Sequence, residues 1–269
     1  MLQHTPEIQD NPSSVYSKPT KTEEVIRFHH VHFRFPDADE DTLGNLSFTC
    51  KRGETTAIIG STGSGKSTIA QLILRFHDVT SGSISLNGVD IRQIMQKELR
   101  DHISYIPQKA WLFSGTIADN LKQGNPYATK EQMNHALSVA QADFVNTLPA
   151  ALSSYVAQGG TNFSGGQKQR LSIARALMKP ADLYIFDDSF SALDFKTDAA
   201  LRKALAKETK NAAMLIIAQR ISTIMNAEQI IVLENGKIVG IGKHEFLMDH
   251  CPVYQDIAKS QMKGIISNG

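Results

Sequence analysis

The chain has 269 residues, of which 41% are hydrophobic and 20% charged, and its formal net charge is +1. That length holds one large domain or two small ones, with enough apolar material for a buried core. A near-zero charge excludes strong general attraction to nucleic acid or anionic lipid, so no nucleic-acid partner is expected.

Residues 1–22 are polar, carry Pro6, Pro12 and Pro19, and show no apolar period. They read as a linker or disordered arm, leaving 23–269 as the folded domain. Their opening, MLQHTPEIQD, lacks the basic-then-apolar layout of a secretion signal. From Val25 the pattern changes. Residues 25–35 alternate roughly every second position and predict a strand, 46–50 predict another, and 55–60 form a short β-branched run that stops at glycine. The spacing at 67–76 predicts a helix. Residues 83–91 read as a hairpin turning at Asn87 and Gly88, and 102–108 as a strand. The stretch 116–148 reads as largely helical, most clearly amphipathic over 129–148. A helix at 167–178 ends before Pro180, and 183–188 is a buried strand ending in two acids. A helix at 196–208, a strand at 213–219 and a hairpin at 228–240 complete the chain. Apolar strands alternating with helices imply a mainly parallel sheet covered on both faces. The segment 109–178, almost free of strand signals, reads as a helical insertion. The longest apolar stretches, such as 212–218, fall far short of the ~20 residues that span a bilayer. Cys50 and Cys251 read as free thiols of a reducing compartment.

The firmest chemistry lies at 60–68. Gly60, Ser61, Thr62, Gly63, Ser64, Gly65, Lys66, Ser67 and Thr68 match G-x-x-x-x-G-K-[ST] between a strand and a helix. Glycines let backbone N–H groups turn inward around phosphates, and the following helix adds its positive end. Lys66 is expected on the β- and γ-phosphates and the Ser67 hydroxyl on Mg²⁺, with Mg·ATP as the ligand. A plain glycine-rich turn with an exposed lysine does not explain strand, loop and helix in register. A second element is the run LYIFDD: Asp187 suits Mg²⁺ binding, and Asp188 stands where a general base for water stands. Alone, such an acid pair is more often a helix cap or a turn; a phosphate loop in the same chain reverses that.

NFSGGQKQRLSIARAL supplies a second anion-ready helix start, at Ser164, Gly165, Gly166 and Gln167. One chain needs no second such site for one triphosphate, whereas two chains packed head to tail use both. Over about 24–262 the sequence resembles the nucleotide-binding domain of ABC transporters. That resemblance implies an α/β P-loop NTPase (RecA-like) core with a mainly parallel sheet, an antiparallel β subdomain and the helical insertion. It implies that Phe35 stacks on adenine, that Gln108 ends the Q-loop and touches Mg²⁺, that 191–194 with Ser191 and Asp194 form the D-loop, and that Gln219 is the switch residue. The stretch 111–121 resembles the exporter subtype. A transmembrane domain of the same polypeptide, the cytoplasmic membrane face, and a second, paralogous ATP-binding domain are then the implied surroundings. Trp111, Leu112 and Phe113 read equally as core or as a groove for the membrane domain. His29, His30 and His32 fall on different strand faces and are not read as a metal site.

The sequence departs from the family in three places. The usual base after the Walker B acid is Glu, and here it is Asp188; the usual switch His is Gln219. Asp is a methylene shorter, and Gln cannot become cationic. The acidic segment before SGGQ appears as SYVAQGG at 154–160, without acids. The combination resembles the degenerate half of a heterodimeric exporter, weakly hydrolytic at its own site, with its signature completing the partner's. An ATP-gated clamp that never hydrolyses is the alternative. Repair or chromosome ATPases of the same family carry long coiled-coil insertions that 109–178 has no room for, and a P-loop kinase or GTPase does not explain SGGQ.

Overall fold

The protein is described by a computed structural model covering residues 8–10 and 21–266, with side chains as far as Gln261. The arm read at 1–22 therefore lies mostly outside the described residues. In chain order the first elements are β1 (Glu24–Phe33), β2 (Leu43–Lys51), β3 (Thr55–Gly60), α1 (Lys66–Ile73), β4 (Ser81–Leu86), β5 (Val89–Asp90), α2 (Gln96–Asp101) and β6 (Ile103–Ile106). The middle of the chain holds β7 (Gly115–Thr116), α3 (Ile117–Lys122), α4 (Lys130–Val139), β8 (Tyr155–Val156) and α5 (Gly165–Leu177). The last part comprises β9 (Leu183–Asp187), α6 (Phe195–Glu208), β10 (Ala213–Ile217), α7 (Ile221–Ile224), β11 (Gln229–Glu234), β12 (Lys237–Gly242), α8 (His244–His250) and α9 (Pro252–Ile266).

A six-stranded sheet, ordered β12-β11-β3-β10-β9-β6, organises the molecule. Its strands run parallel except β12, which returns antiparallel along β11. Both faces of β3, β9, β10 and β11 are buried, which is why these strands read as unbroken apolar runs, whereas β12 stays partly exposed. Successive residues serve different cores: Ile58, Ile185 and Leu215 face one, while Ala57, Ile59, Phe186 and Ile216 face the other. The first core also takes in α1 and the antiparallel sheet β2-β1-β4-β5, where Phe28 stacks on Phe48 with ring centres 4.4 Å apart. The second core is closed by α4, α5 and α6.

Two helices stop earlier than their spacing predicts. In α1 the chain turns at Arg75, whose φ is 53°, and the Phe76 N–H bonds back to the Gln71 carbonyl at 2.9 Å. In α4 it turns at Gln141, φ 56°, and the Ala142 N–H bonds to the Leu137 carbonyl at 2.8 Å. Both are helix stops of the kind usually built with glycine. At Gln141 the cost is offset by a distant partner, because Arg170 Nη1 on α5 donates to the Gln141 carbonyl at 2.7 Å. Beyond it only a 3₁₀ segment, Asp143–Thr147, continues. The segment 109–178 also contains a short ribbon, β7 paired with β8.

The parallel strands β3, β6, β9 and β10 all end on one edge of the sheet. The glycine loop follows β3, Gln108 follows β6, the acid pair closes β9, and Gln219 follows β10. In open α/β sheets this carboxyl edge is where ligands sit.

Candidate nucleotide site

The loop after β3 is shaped by packing as much as by glycine's freedom. A side chain at Gly60 would collide with the Leu233 carbonyl of β11. Gly65, at φ 95°, caps α1 without a side-chain hydrogen bond, and a Cβ there would lie 2.5 Å from Leu43 Cδ2. The loop is thus wedged between β11 and the start of β2, with the first N–H groups of α1 directed outward. Lys66 folds back over the loop, its Nζ donating to the Gly60 carbonyl at 2.8 Å and the Ser61 carbonyl at 2.7 Å. Burial lowers its pKa, and the charges of Asp188 and Asp187 oppose that shift.

Strand β9 is not the neighbour of β3, because β10 lies between them. The gap is bridged from α1: Ser67 Oγ donates to Asp187 Oδ1 at 3.1 Å. On its other side Asp187 accepts from the Tyr105 hydroxyl of β6, also at 3.1 Å. Burial raises the Asp187 pKa, partly offset by these two bonds and by Lys66. Burial, together with the charge of Asp187, raises the Tyr105 pKa strongly.

Asp188 follows at φ 46°, an uncommon conformation for a residue with a side chain. Its Oδ2 accepts two side-chain amides, Gln108 Nε2 and Gln219 Nε2, each at 2.9 Å. Burial raises its pKa; the Gln108 bond opposes this and the charge of Asp187 adds to it. Lys66, Ser67, Gln108, Asp187, Asp188 and Gln219 thus line one cleft of about 290 Å³, floored by Gly63 and Gly65 and flanked by Thr62 and Thr68. That volume is at the small end for a pocket enclosing a ligand.

Other residues singled out in the sequence stand elsewhere. Phe35 does not line the cleft: its ring sits edge-on to Phe33 at 4.7 Å and to His77 at 5.3 Å. Ser164 caps α5 in a reciprocal pair with Gln167, the Gln167 N–H bonding to Ser164 Oγ at 3.3 Å and the Ser164 N–H to Gln167 Oε1 at 2.9 Å. Ser164 and Gly165 are exposed, and nothing lies within 4 Å of where a Gly165 side chain would begin. Ser191 Oγ donates to the Asp188 carbonyl at 2.8 Å, and Asp194 caps α6 by accepting from the Thr197 N–H at 2.9 Å. That backbone bond holds the Asp194 carboxyl below its usual pKa. Leu112 is in the core, whereas Trp111 and Phe113 are exposed. His30 pairs with Asn45 and His32 with Asp41. Cys50 and Cys251 are free and buried, and burial pushes the Cys50 thiol up to about 12.

Three contributors escape sequence reasoning. Tyr105 is an ordinary strand residue until β6 is seen lying directly beside β9, the strand that carries the acid it serves. Arg220 bonds the carbonyls of Ser191 and Leu193, and Gln261 of α9 grips the backbone on both sides of Arg220. No local pattern marks any of these partners.

A phosphate loop, a serine-linked acid at a strand end and paired amides on a second acid define a P-loop nucleotide-binding domain, with an all-oxygen donor set from Ser67, Asp187 and Gln108 that suits Mg²⁺. The sequence model described as "ABC transporter" matches residues 43–191, and the chain belongs to that family as an ATP-binding domain. An uncharacterized ABC transporter ATP-binding protein of Mycobacterium tuberculosis is 46% identical over 261 residues, covering 96% of this chain and 44% of that protein. Human ATP-binding cassette sub-family B member 6 is 40% identical over 237 residues, 88% of this chain and 28% of its own length. A bacterial Atm1-family ABC exporter with ATP bound superposes with a TM-score of 0.86 at 34% identity, over 92% of this chain and 44% of that one. The chain therefore spans less than half the length of the relatives it matches. Among the described residues no helix is long and apolar enough to cross a membrane.

Proposed function

We propose that this chain is the ATP-binding domain of an exporter, holding Mg·ATP at a weakly hydrolytic site of its own and lending its signature to a partner's site. The observation that carries the reading is the Asp188 carboxylate, accepting both Gln108 and Gln219 at 2.9 Å. A general base must come within ~2.6–3.2 Å of the proton it takes. Asp188 is a methylene shorter than Glu, and one oxygen already accepts both neighbouring amides. A misplacement of about an ångström costs on the order of 10²-fold in rate. Gln219 can donate to a γ-phosphate but cannot carry a positive charge there.

Binding, by contrast, is well provided. Lys66 would exchange its bonds to the Gly60 and Ser61 carbonyls for phosphate oxygens. Ser67, Asp187 and Gln108 would hold Mg²⁺, whose charge offsets that of the phosphates. Phe35, half-buried and in edge contact with Phe33 and His77, would stack on the adenine. Ser164 and Gly165, exposed, and the half-buried Gly166 and Gln167, all outside the cleft, fit a second, paralogous domain packed head to tail, with the D-loop at Ser191 and Asp194 alongside.

Trp111, Phe113 and Tyr155, at 53%, 52% and 63% exposure, form an aromatic surface that supports docking of a transmembrane domain of the same polypeptide. That partner would hold the domain at the cytoplasmic face of the membrane. The doubly held Asp188 equally favours the second reading, an ATP-gated clamp without hydrolysis.

Single-turnover hydrolysis of Mg·ATP by the full chain separates these readings. Slow but measurable cleavage, raised by Asp188→Glu with Gln219→His, supports the weakly hydrolytic site; no cleavage at all favours the clamp. Steady hydrolysis by the unaltered chain at rates usual for family ATPases overturns both.

A further inference from the structure

The segment 191–194 is held from two directions by residues of the nucleotide site. From one side, the Asp188 carbonyl accepts Ser191 Oγ at 2.8 Å and the Ser191 N–H at 3.3 Å. From the other, Arg220, the residue after Gln219, donates to the Ser191 carbonyl at 3.0 Å and the Leu193 carbonyl at 3.4 Å. Its guanidinium also lies 5.6 Å over the Phe195 ring, itself 62% exposed. The hydrogen bonds of Arg220 both go to backbone carbonyls of this one segment, and its charge also acts on Asp188.

The held segment rests directly on the start of α5. A side chain at Gly166 would begin 3.2 Å from the Ala192 carbonyl and 3.7 Å from Leu193 Cδ2. Residues 219–221 are meanwhile fixed from behind. Gln261 Nε2 donates to the Gln219 carbonyl at 2.6 Å, and Gln261 Oε1 accepts the Ile221 N–H at 2.9 Å. With its backbone clamped to α9, Arg220 acts as a strut of fixed origin reaching toward 191–193.

We propose that Arg220 is a positioning residue that ties the start of the signature helix, through Ser191 to Leu193, to occupancy of the chain's own nucleotide cleft. The proposal rests on the reading of Gly60 to Thr68 as an ATP site and of Ser164 to Gln167 as a contribution to a second one. A ligand phosphate that draws Gln108 and Gln219 away from Asp188 frees that residue to shift. Its carbonyl carries the shift to Ser191, and Arg220 holds the other end, so the segment pivots against Gly166 instead of drifting. The two anion-ready helix starts of one chain are thereby in mechanical contact, although neither lines the other's cleft.

Hydrogen exchange of the full chain with and without Mg·ATP tests this, at a dilution where light scattering shows a monomer. In the unaltered chain, exchange is expected to slow at 60–68 and to change at 163–168 and 189–194. In Arg220→Gln the response at 60–68 persists, while the changes at 163–168 fall by about tenfold, the effect of losing bonds from a charged donor. Arg220→Lys, which keeps the charge and reaches one carbonyl, restores part of the change. A purely structural role predicts altered exchange everywhere; the proposal predicts a midpoint lowered by no more than about 5 °C, with altered exchange confined to 163–168 and 189–194. An unchanged response at 163–168 in Arg220→Gln overturns the link, as does no response there in the unaltered chain. Absence of slowing at 60–68 in the unaltered chain overturns the ATP-site reading first and the link with it.

Discussion

At the start of α1 the loop is wedged against β11 and β2, Lys66 is folded onto its own carbonyls, and Ser67 is bonded to Asp187. At the start of α5 Ser164 and Gln167 form a reciprocal cap, the Ala192 carbonyl lies against Gly166, and Gly165 faces open space. Both places offer backbone N–H groups and a positive helix end to an anion. They differ in what surrounds the anion. The first has its cation, its metal-binding oxygens and its amides in one cleft; at the second, the Gln167 amide is taken up by the helix cap, and no such cleft gathers the groups around it among the described residues. A helix start becomes a complete site only where several strand ends converge, and the carboxyl edge of β3, β6, β9 and β10 provides that convergence for α1 alone.

Removing Lys66, the one cation that lines this cleft among the described residues, tests that contrast most severely. Lys66→Ala is expected to weaken Mg·ATP binding by the full chain on the order of 10²-fold. Hydrogen bonds from a charged group contribute about 1.5–3 kcal/mol each, and every 1.4 kcal/mol is tenfold in affinity. Equilibrium titration with a fluorescent ATP analogue measures it. An affinity within threefold of the unaltered chain would mean that the backbone N–H groups dominate and that the two helix starts differ less than their surroundings suggest.

The same contrast explains what was legible in the sequence. The loop at 60–68 can be read because its parts are consecutive and its strand and helix adjoin it. Asp187 and Asp188 can be read because a buried strand ends on them. Ser164 to Gln167 are also consecutive, so their capping pattern is visible without the fold. The supports of the first site are not. Tyr105 reaches Asp187 from β6, Gln261 reaches residues 219 and 221 from α9, and Arg220 turns to a segment some thirty positions away. Phe35 stands at the expected place in chain order, and its edge contacts with Phe33 and His77 are a feature that order alone does not show. The overlong helix reading beyond Val139 has the same origin: no glycine or proline marks the stop, and the left-handed Gln141 is stabilised by Arg170, which is distant in sequence.

The cost of assembling the first site is carried by its acids, and pH exposes it. Burial raises the pKa of both Asp187 and Asp188. A carboxyl whose folded pKa lies above its unfolded value is stabilising in its protonated form, so this contribution is present at low pH and lost as pH rises through the folded value. Acidification from neutral toward the ordinary carboxylate pKa of about 3.9 is therefore expected to favour the nucleotide-free fold through these two groups. Asp90 and Asp182 act oppositely. Burial pushes each up, but Arg92 on Asp90, and His102 and Arg52 on Asp182, bring them below the usual value. Their contribution disappears only at still lower pH. Asp188→Asn removes one of the raised groups while keeping an oxygen for Gln108 and Gln219. The thermal midpoint of the nucleotide-free chain at pH 7 is expected to rise by about 2–4 °C, the equivalent of roughly 1 kcal/mol in a domain of this size. Its gain on mild acidification is expected to shrink. A lower midpoint at pH 7 would show that the charged form of Asp188 is better satisfied by its two amides than its burial implies.

The mildest perturbation belongs to the second helix start. Ser164→Ala removes the hydroxyl that accepts the Gln167 N–H, a cap whose loss typically costs about 1 kcal/mol. Because α5 runs 13 residues and packs Leu171, Ile173 and Ala174 into the core, the helix is expected to persist, with only its first turn loosened. Mg·ATP affinity of the full chain, measured as a monomer, is expected to stay within about twofold of the unaltered value, well under 1.4 kcal/mol. Ser164 shares no cleft with Lys66, and Arg220 sets where the α5 start rests without depending on the cap. A tenfold loss of affinity in Ser164→Ala would place the two helix starts in one site of one chain, and the division between a self-contained site and a contributed one would then fail.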